Sequence, residues 1–231
     1  MRFIIMLALI FTFLPKAQAL NLHELYVTSY DIPEEHESEI EWLSSLSSAN
    51  ILRSSIELSH GFSKNIGAGI YVDFTREQYG KFENSAWRAY VKTKLYNSDV
   101  NALNLSAAIE VELPQDDDET LAVEAKLIAD KKFDRWQFTV TPTYEYVRLR
   151  VRNQDGNDVE YESGLDAGVK YHHSDERAST LTYKSELNSE KQSVFLLGTE
   201  FEAYHDVEFS FGLGVTSNQE NLVKFGIETE L

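Results

Sequence analysis

Charged and aromatic-hydroxyl residues recur at every second position along much of this chain, and that spacing decides what chemistry they can do. Arg88, Tyr90, Lys92 and Lys94 alternate with Trp87, Ala89, Val91 and Leu95; Glu110 and Glu112 alternate with Ile109, Val111 and Leu113. A period of two puts each set on one side of a β-strand. Read this way, one polar face collects Arg53, Glu57, Asp73, Arg88, Lys92, Lys94, Glu110, Glu112, Glu124, Lys126 and Glu145, then Glu162, Asp166, Lys170, Glu200, Glu202, Glu208, Lys224 and Glu228. Acids outnumber bases. If that face lines a water-filled lumen, the acidic excess favours cations or neutral, hydroxyl-rich solutes. If the side chains reach one another, they pair across neighbouring strands and hold a narrow interior shut. Arg88, Lys92 and Lys94 beside Glu110 and Glu112 support pairing, and both alternatives stand.

Catalysis has little to build on. There is no Cys, hence no thiolate nucleophile, disulfide or thiolate metal site. The histidines are His23, His36, His60, His172, His173 and His205. Ser59-His60 and His205-Asp206 are adjacent, so within a strand they point to opposite faces and cannot pair there. No G-x-S-x-G, H-E-x-x-H or glycine-rich phosphate loop occurs. The run Gln115-Asp116-Asp117-Asp118-Glu119 has the carboxylates to bind divalent cations that bridge lipopolysaccharide, though a solvated loop is the simpler account. Asp155-Gly156 marks a turn, its spacing being wrong for a calcium loop. The expectation is no enzyme, no metal site and no cofactor.

The elements that position these residues are strands. Val207, Phe209, Phe211, Leu213 and Val215 alternate with Glu208, Ser210, Gly212, Gly214 and Thr216; after SNQEN the pattern resumes with Val223, Phe225 and Ile227 against Lys224, Gly226 and Glu228. Two alternating runs joined by a short polar link make an antiparallel hairpin. The same signal runs back to Glu39 through Glu39–Leu46, Leu52–Gly61, Ile66–Thr75, Ser85–Tyr96, Ala102–Leu113, Thr120–Ala129, Arg135–Arg150, Val159–His172, Ser179–Leu187 and Ser193–Tyr204. Turns alternate between short and longer, which is how a bacterial outer-membrane barrel is laid out. Pro142 inside a long strand marks a bulge or a missing ladder bond. The fold class expected is all-β: an antiparallel up-and-down transmembrane β-barrel of about 12 strands over residues 39–231, closing where the last strand meets the one around Trp42.

Residues 1–19 read as a secretory signal peptide: Arg2, an apolar run from Phe3 to Leu14, then Ala17-Gln18-Ala19 as a cleavage site. Cleavage after Ala19 leaves 19 basic against 38 acidic residues, a charge of −19, with no basic stripe for nucleic acid. Residues 20–38 form an acidic, mostly irregular lead-in. Alternation alone does not say whether the apolar face turns to lipid or to a soluble core that holds a ligand. Three features favour lipid. The apolar faces hold almost no charge, the polar faces use much glycine, and Trp42, Trp87, Trp136, Tyr161 and Tyr171 suit the aromatic girdles of a membrane interface. The chain is therefore expected in the outer membrane, in contact with lipid and lipopolysaccharide, acting as a passive channel for a small solute.

The run Ser55-Ile56-Glu57-Leu58-Ser59-His60-Gly61-Phe62-Ser63-Lys64-Asn65-Ile66-Gly67-Ala68-Gly69-Ile70 resembles a recurring hairpin in one family of Gram-negative barrels: the outer-membrane transporters named after the MetA pathway of phenol degradation. There a glutamate-alternating strand, a glycine, a short polar turn and a glycine-alternating strand follow one another. The resemblance implies a transport-type barrel without a catalytic centre. Barrels of this kind hand a C-terminal strand to the assembly machinery and usually end on an aromatic. Val223, Phe225 and Ile227 fit that signal, whereas Thr229-Glu230-Leu231 departs from it.

Overall fold

A computed structural model describes residues 31–78, 80–98, 103–115, 119–150, 158–187, 193–204 and 207–231. Twelve strands run in chain order: β1 Ser38–Ser47, β2 Leu52–Ser63, β3 Ile66–Arg76, β4 Glu83–Ser98, β5 Leu103–Pro114, β6 Glu119–Phe133, β7 Trp136–Leu149, β8 Val159–Ser174, β9 Arg177–Glu186, β10 Ser193–Tyr204, β11 Val207–Thr216 and β12 Asn221–Glu230. Each pairs antiparallel with its sequence neighbours, and β12 returns to β1, closing the barrel. At that seam Trp42 lies opposite Ile227 and Leu46 opposite Val223. The expected all-β barrel and its closing seam are thus both present. The signal peptide, Asp116–Asp118, the Asp155-Gly156 turn, His23 and His205 lie outside the described residues.

Burial runs opposite to that of a soluble domain. Leu197 is 63% exposed and Ile109 59%, while Lys224 and Asp73 are each 1% exposed and Arg88 4%. The period of two sends apolar side chains outward and charged ones inward on strand after strand. A large apolar side chain gains about 1.5–3 kcal/mol on full burial, so some thirty half-exposed ones would forgo roughly 30 kcal/mol in water. That exceeds the whole net stability of a typical domain, about 5–15 kcal/mol. A wall of this kind belongs in lipid, where closure also leaves no unpaired sheet edge.

The short connections β2–β3, β4–β5, β6–β7, β8–β9 and β10–β11 gather at the end that holds the start of β1 and the end of β12; the other connections gather at the opposite end. Asp134, in the two-residue β6–β7 turn, adopts φ 52°, a left-handed backbone that Asp tolerates. Pro142 interrupts the ladder without shifting it: Lys126 pairs with Thr143 and Ala129 with Val140, and the positions between have no partner across β6 and β7. Of the two outcomes expected at Pro142, the missing ladder bond is the one present.

Aromatics collect toward both ends of the outer wall. Near the termini-bearing end Trp136 packs on Tyr171 with ring centroids 4.7 Å apart. Toward the other end Tyr161 contacts Tyr144 and Tyr146, and Trp87 stands opposite Leu113. Trp42 differs, since it sits mid-strand. Its indole Nε1 donates to Ser54 Oγ at 2.7 Å, Ser44 Oγ donates to the same oxygen, and Ser54 Oγ donates to the Leu43 carbonyl. Two hydroxyls on the lipid-facing side are thereby satisfied, which hydrocarbon requires.

Replacing Ile109, at the middle of the outward face of β5, by Arg should destabilise the barrel by about 2–4 kcal/mol, read as a shifted urea midpoint for folding into lipid vesicles.

Candidate functional site

The inner wall has three regions, each dictated by which residues occupy the inward parity of each strand. The first is an ion-pair chain across β3–β6. Arg88 donates from Nε to Asp73 Oδ2 at 2.6 Å and from a terminal nitrogen to Asp73 Oδ1 at 3.0 Å. Its other terminal nitrogen donates to Glu110 Oε1 at 3.1 Å. Lys126 Nζ then bridges Glu110, at 3.4 Å, and Glu124, at 3.0 Å. The guanidinium also lies 4.4 Å from the centre of the Tyr71 ring. Bidentate and stacked contacts of this kind are what Arg makes and Lys does not. Nearby, Tyr90 donates to Glu57 Oε1 at 2.6 Å.

The second region is a row of carboxylates on β11, β12, β1 and β2. Glu208 stands opposite Glu228, Glu228 opposite Glu41, and Glu41 opposite Glu57. The row continues to Glu202 at the exposed rim, opposite Glu208 across β10. Toward the other end, β10 and β12 turn apolar inside, which forms the third region. Val194, Leu196 and Leu222 are buried on the inner face. Leu196 has room because its neighbours on β11 are glycines; a Cβ at Gly212 would sit 3.1 Å from it.

The described part of the lead-in, residues 31–37, enters the lumen at the termini-bearing end. Glu35 bridges Gly61, and His36 N donates to the Gly61 carbonyl at 2.8 Å. A side chain on Gly61 would collide with the carbonyls of Pro33 and Glu34. Ile32 packs over Gly67, and Lys92 Nζ donates to the Asp31 carbonyl at 2.6 Å. Two cavities matter for a path through the lumen. An outer vestibule of ≈ 90 Å³ is walled by Glu112, Glu124, Glu145, Asp166 and Lys184. An inner chamber of ≈ 450 Å³ is bounded by the carboxylate row, by Lys170 on the far wall and by Asp31–Pro33. Arg88 and Glu110 line both cavities, so their ion pair forms the constriction between them.

The residues expected on the polar face fall in these regions as follows. Asp73, Arg88, Glu110, Lys126 and Glu124 form the chain; Glu112 and Glu145 line the vestibule, where Lys184 pairs with Asp166 at 3.3 Å. Glu162 stands opposite Glu145 in the next strand. Glu57, Glu200, Glu208, Glu228 and Lys170 line the chamber, with Lys170 paired to Glu200. Arg53 and Lys224 sit together beside Leu43, and Lys94 lies opposite Ser106 beside a register shift. Glu202 is exposed at the rim.

Pairing is therefore dense on one side of the lumen and sparse on the other. Sequence reasoning missed Glu39 and Glu41, whose parity opposite Ile40 and Trp42 was available. It also missed the inward Val194 and Leu196, because SVFLLG is apolar on both faces and alternation is silent there. Among the described residues, Ser38 Oγ contacts His60 Nδ1 at 2.9 Å and His173 Nε2 contacts Ser179 Oγ at 2.9 Å. Among the described residues no carboxylate orients either imidazole, as a nucleophile–base pair requires.

No family model matches the chain, and no curated protein matches it. Solved structures do. The NanC porin aligns with TM-score 0.68 at 12% identity, covering 83% of this chain and 100% of its own. The KdgM porin in complex with disordered oligogalacturonate aligns with TM-score 0.64 at 9% identity, covering 83% and 98%. An outer membrane channel from Pseudomonas putida F1 aligns with TM-score 0.72 at 8% identity, covering 90% and 100%. What is shared at such identities is the fold: a porin-like barrel.

Replacing Arg88 by Ala removes the cation that Asp73 and Glu110 share inside the wall. It should cost about 3–5 kcal/mol, measured as loss of heat-resistant mobility on a gel and a lowered urea midpoint.

Proposed function

We propose that this chain is a passive outer-membrane channel with a preference for cations, of the MetA-pathway transporter type. The observation that carries the reading is the lumen itself: two polar cavities in series, meeting at one Arg–Glu pair, inside a wall whose outer face is apolar. A dozen strands fall between the eight of a barrel filled by side chains and the sixteen of an open porin. Here the lumen is part filled, so passage is limited to small solutes. The acidic excess of the walls attracts cations and repels anions over the few ångströms that matter. The apolar band meets lipid and lipopolysaccharide, and Val223, Phe225 and Ile227 with Leu231 form the strand presented to the assembly machinery after export and cleavage at Ala19. No catalytic step is proposed.

A contrast sharpens the expectation. One barrel of the same fold is described in complex with oligogalacturonate, a polyanion. The lumen of the present chain is lined by carboxylates, so such a solute would be excluded and its charge opposite selected.

In planar bilayers the reconstituted barrel should give discrete conductance steps with cation preference. Glu112→Lys with Glu145→Lys should lower the cation-to-anion permeability ratio severalfold. Silent bilayers, or anion preference in the unmodified protein, overturn the reading. Gly61→Val, which pushes out the chain at Pro33–Glu34, should raise unit conductance; an unchanged conductance would mean that the lead-in segment does not limit the path.

A further inference from the structure

The constriction and the vestibule are rich in salt bridges, but one wall of the inner chamber is not. Glu208, Glu228, Glu41 and Glu57 stand directly opposite one another across four adjacent strands. Like charges placed opposite one another are destabilising, so the row calls for compensating positive charge. Most bases around the chamber have closer partners than the row: Arg88 and Lys126 in the ion-pair chain, Lys170 on Glu200, and Lys92 on the Asp31 carbonyl. Lys132 lines the chamber from an exposed position, and Lys224 lies within electrostatic reach of Glu41. Among the described residues, Glu41, Glu208 and Glu228 have no ion-pair partner.

A second observation points to a ligand in the same place. Ser55 is 4% exposed and lines the chamber beside Glu57, and its Oγ has no hydrogen-bond partner. Across the chamber the Oγ of Thr180, 8% exposed, is likewise without a partner. Buried hydroxyls in that state are costly to leave so and accept readily from N–H donors.

We propose that the inner chamber is a binding station for linear aliphatic polyamines. The carboxylates repeat at the strand spacing of about 4.8 Å, an interval comparable to that of ammonium groups joined by short methylene linkers. Each ammonium is a compact charge, with three donors where it is terminal and two where it is internal, met by a carboxylate and, near Glu57, by the Ser55 hydroxyl. The methylenes lie against Ile32 and Leu43, which also line the chamber. A single divalent metal ion asks for a different shape, with six to eight oxygens converging on one point. Among the described residues no three acidic or histidine side chains converge in that way. The chamber volume of ≈ 450 Å³ is that of a small-ligand pocket.

The proposal deepens the channel reading but rests on the chamber rather than on conduction, so the two can fail separately. The test is calorimetric titration of the full barrel in detergent with spermidine, and with Mg²⁺ alone for comparison. Spermidine should bind at least tenfold more tightly than Mg²⁺. Glu41→Gln with Glu228→Gln should weaken it tenfold or more, whereas Glu41→Asp with Glu228→Asp should keep most of the affinity. Should the double glutamine variant not fold, Glu208→Gln alone should weaken binding about threefold.

Spermidine no tighter than Mg²⁺, or unaffected by the glutamine changes, overturns the proposal. In bilayers, spermidine added on the side of the termini should reduce the current over the concentration range seen by calorimetry. A barrel that conducts without binding overturns the station and leaves the channel; one that binds without conducting does the reverse.

Discussion

The constraint beneath everything else is that hydrocarbon offers no hydrogen bonds to a polypeptide backbone. A sheet in lipid must therefore pair every strand, and the pairing of β12 with β1 is what makes the other eleven contacts possible. Once the sheet is closed, the period of two leaves a simple choice: apolar outside and polar inside, or the reverse. With Leu197 and Ile109 outside and Asp73, Arg88 and Lys224 inside, the choice is made. Even the hydroxyls of Ser44 and Ser54, on the lipid-facing side, are tied up by Trp42 and by the Leu43 carbonyl.

Closing charged faces on themselves creates a second problem, because inward carboxylates and bases now face one another across a narrow space. The lumen meets it unevenly. On β3–β6 the charges are arranged in alternating sign, and the chain from Asp73 through Arg88, Glu110 and Lys126 to Glu124 ties four strands together. On β11–β2 the acids are opposed to acids, and above them Leu196 of β10 packs over Gly212 and Gly214 while Leu222 of β12 is buried beside them. One half of the barrel is braced by ion pairs and the other by apolar packing. The open volume lies between them, toward the end where Asp31–Pro33 enter.

The fold was legible because alternation is a local property. Val207–Val215 against Glu208–Thr216 needs no partner strand to be read, and one such reading per strand yields both the strand count and the two faces. Turn residues supplied the layout, short connections on one side and longer ones on the other. Where a stretch is apolar at both parities, as in Val194–Leu197, the local signal vanishes and the inward Val194 and Leu196 went unseen. Pro142 was recognisable as an interruption, but whether it would shift the register or only remove a bond depends on β6, which the residues around it do not reveal.

By itself the sequence determined the strands, their faces and the absence of catalytic motifs, since each of these follows from spacing within a few residues. Only the tertiary structure decided which charges neutralise one another, because pairing depends on register between strands that lie far apart in the chain. Glu110 and Arg88 meet, while Glu41 and Glu228 are set side by side through the closing seam. The place of Asp31–Pro33 inside the lumen was likewise undecidable from a short irregular segment. It is fixed by Gly61 and Gly67, whose missing side chains leave the room that the segment fills.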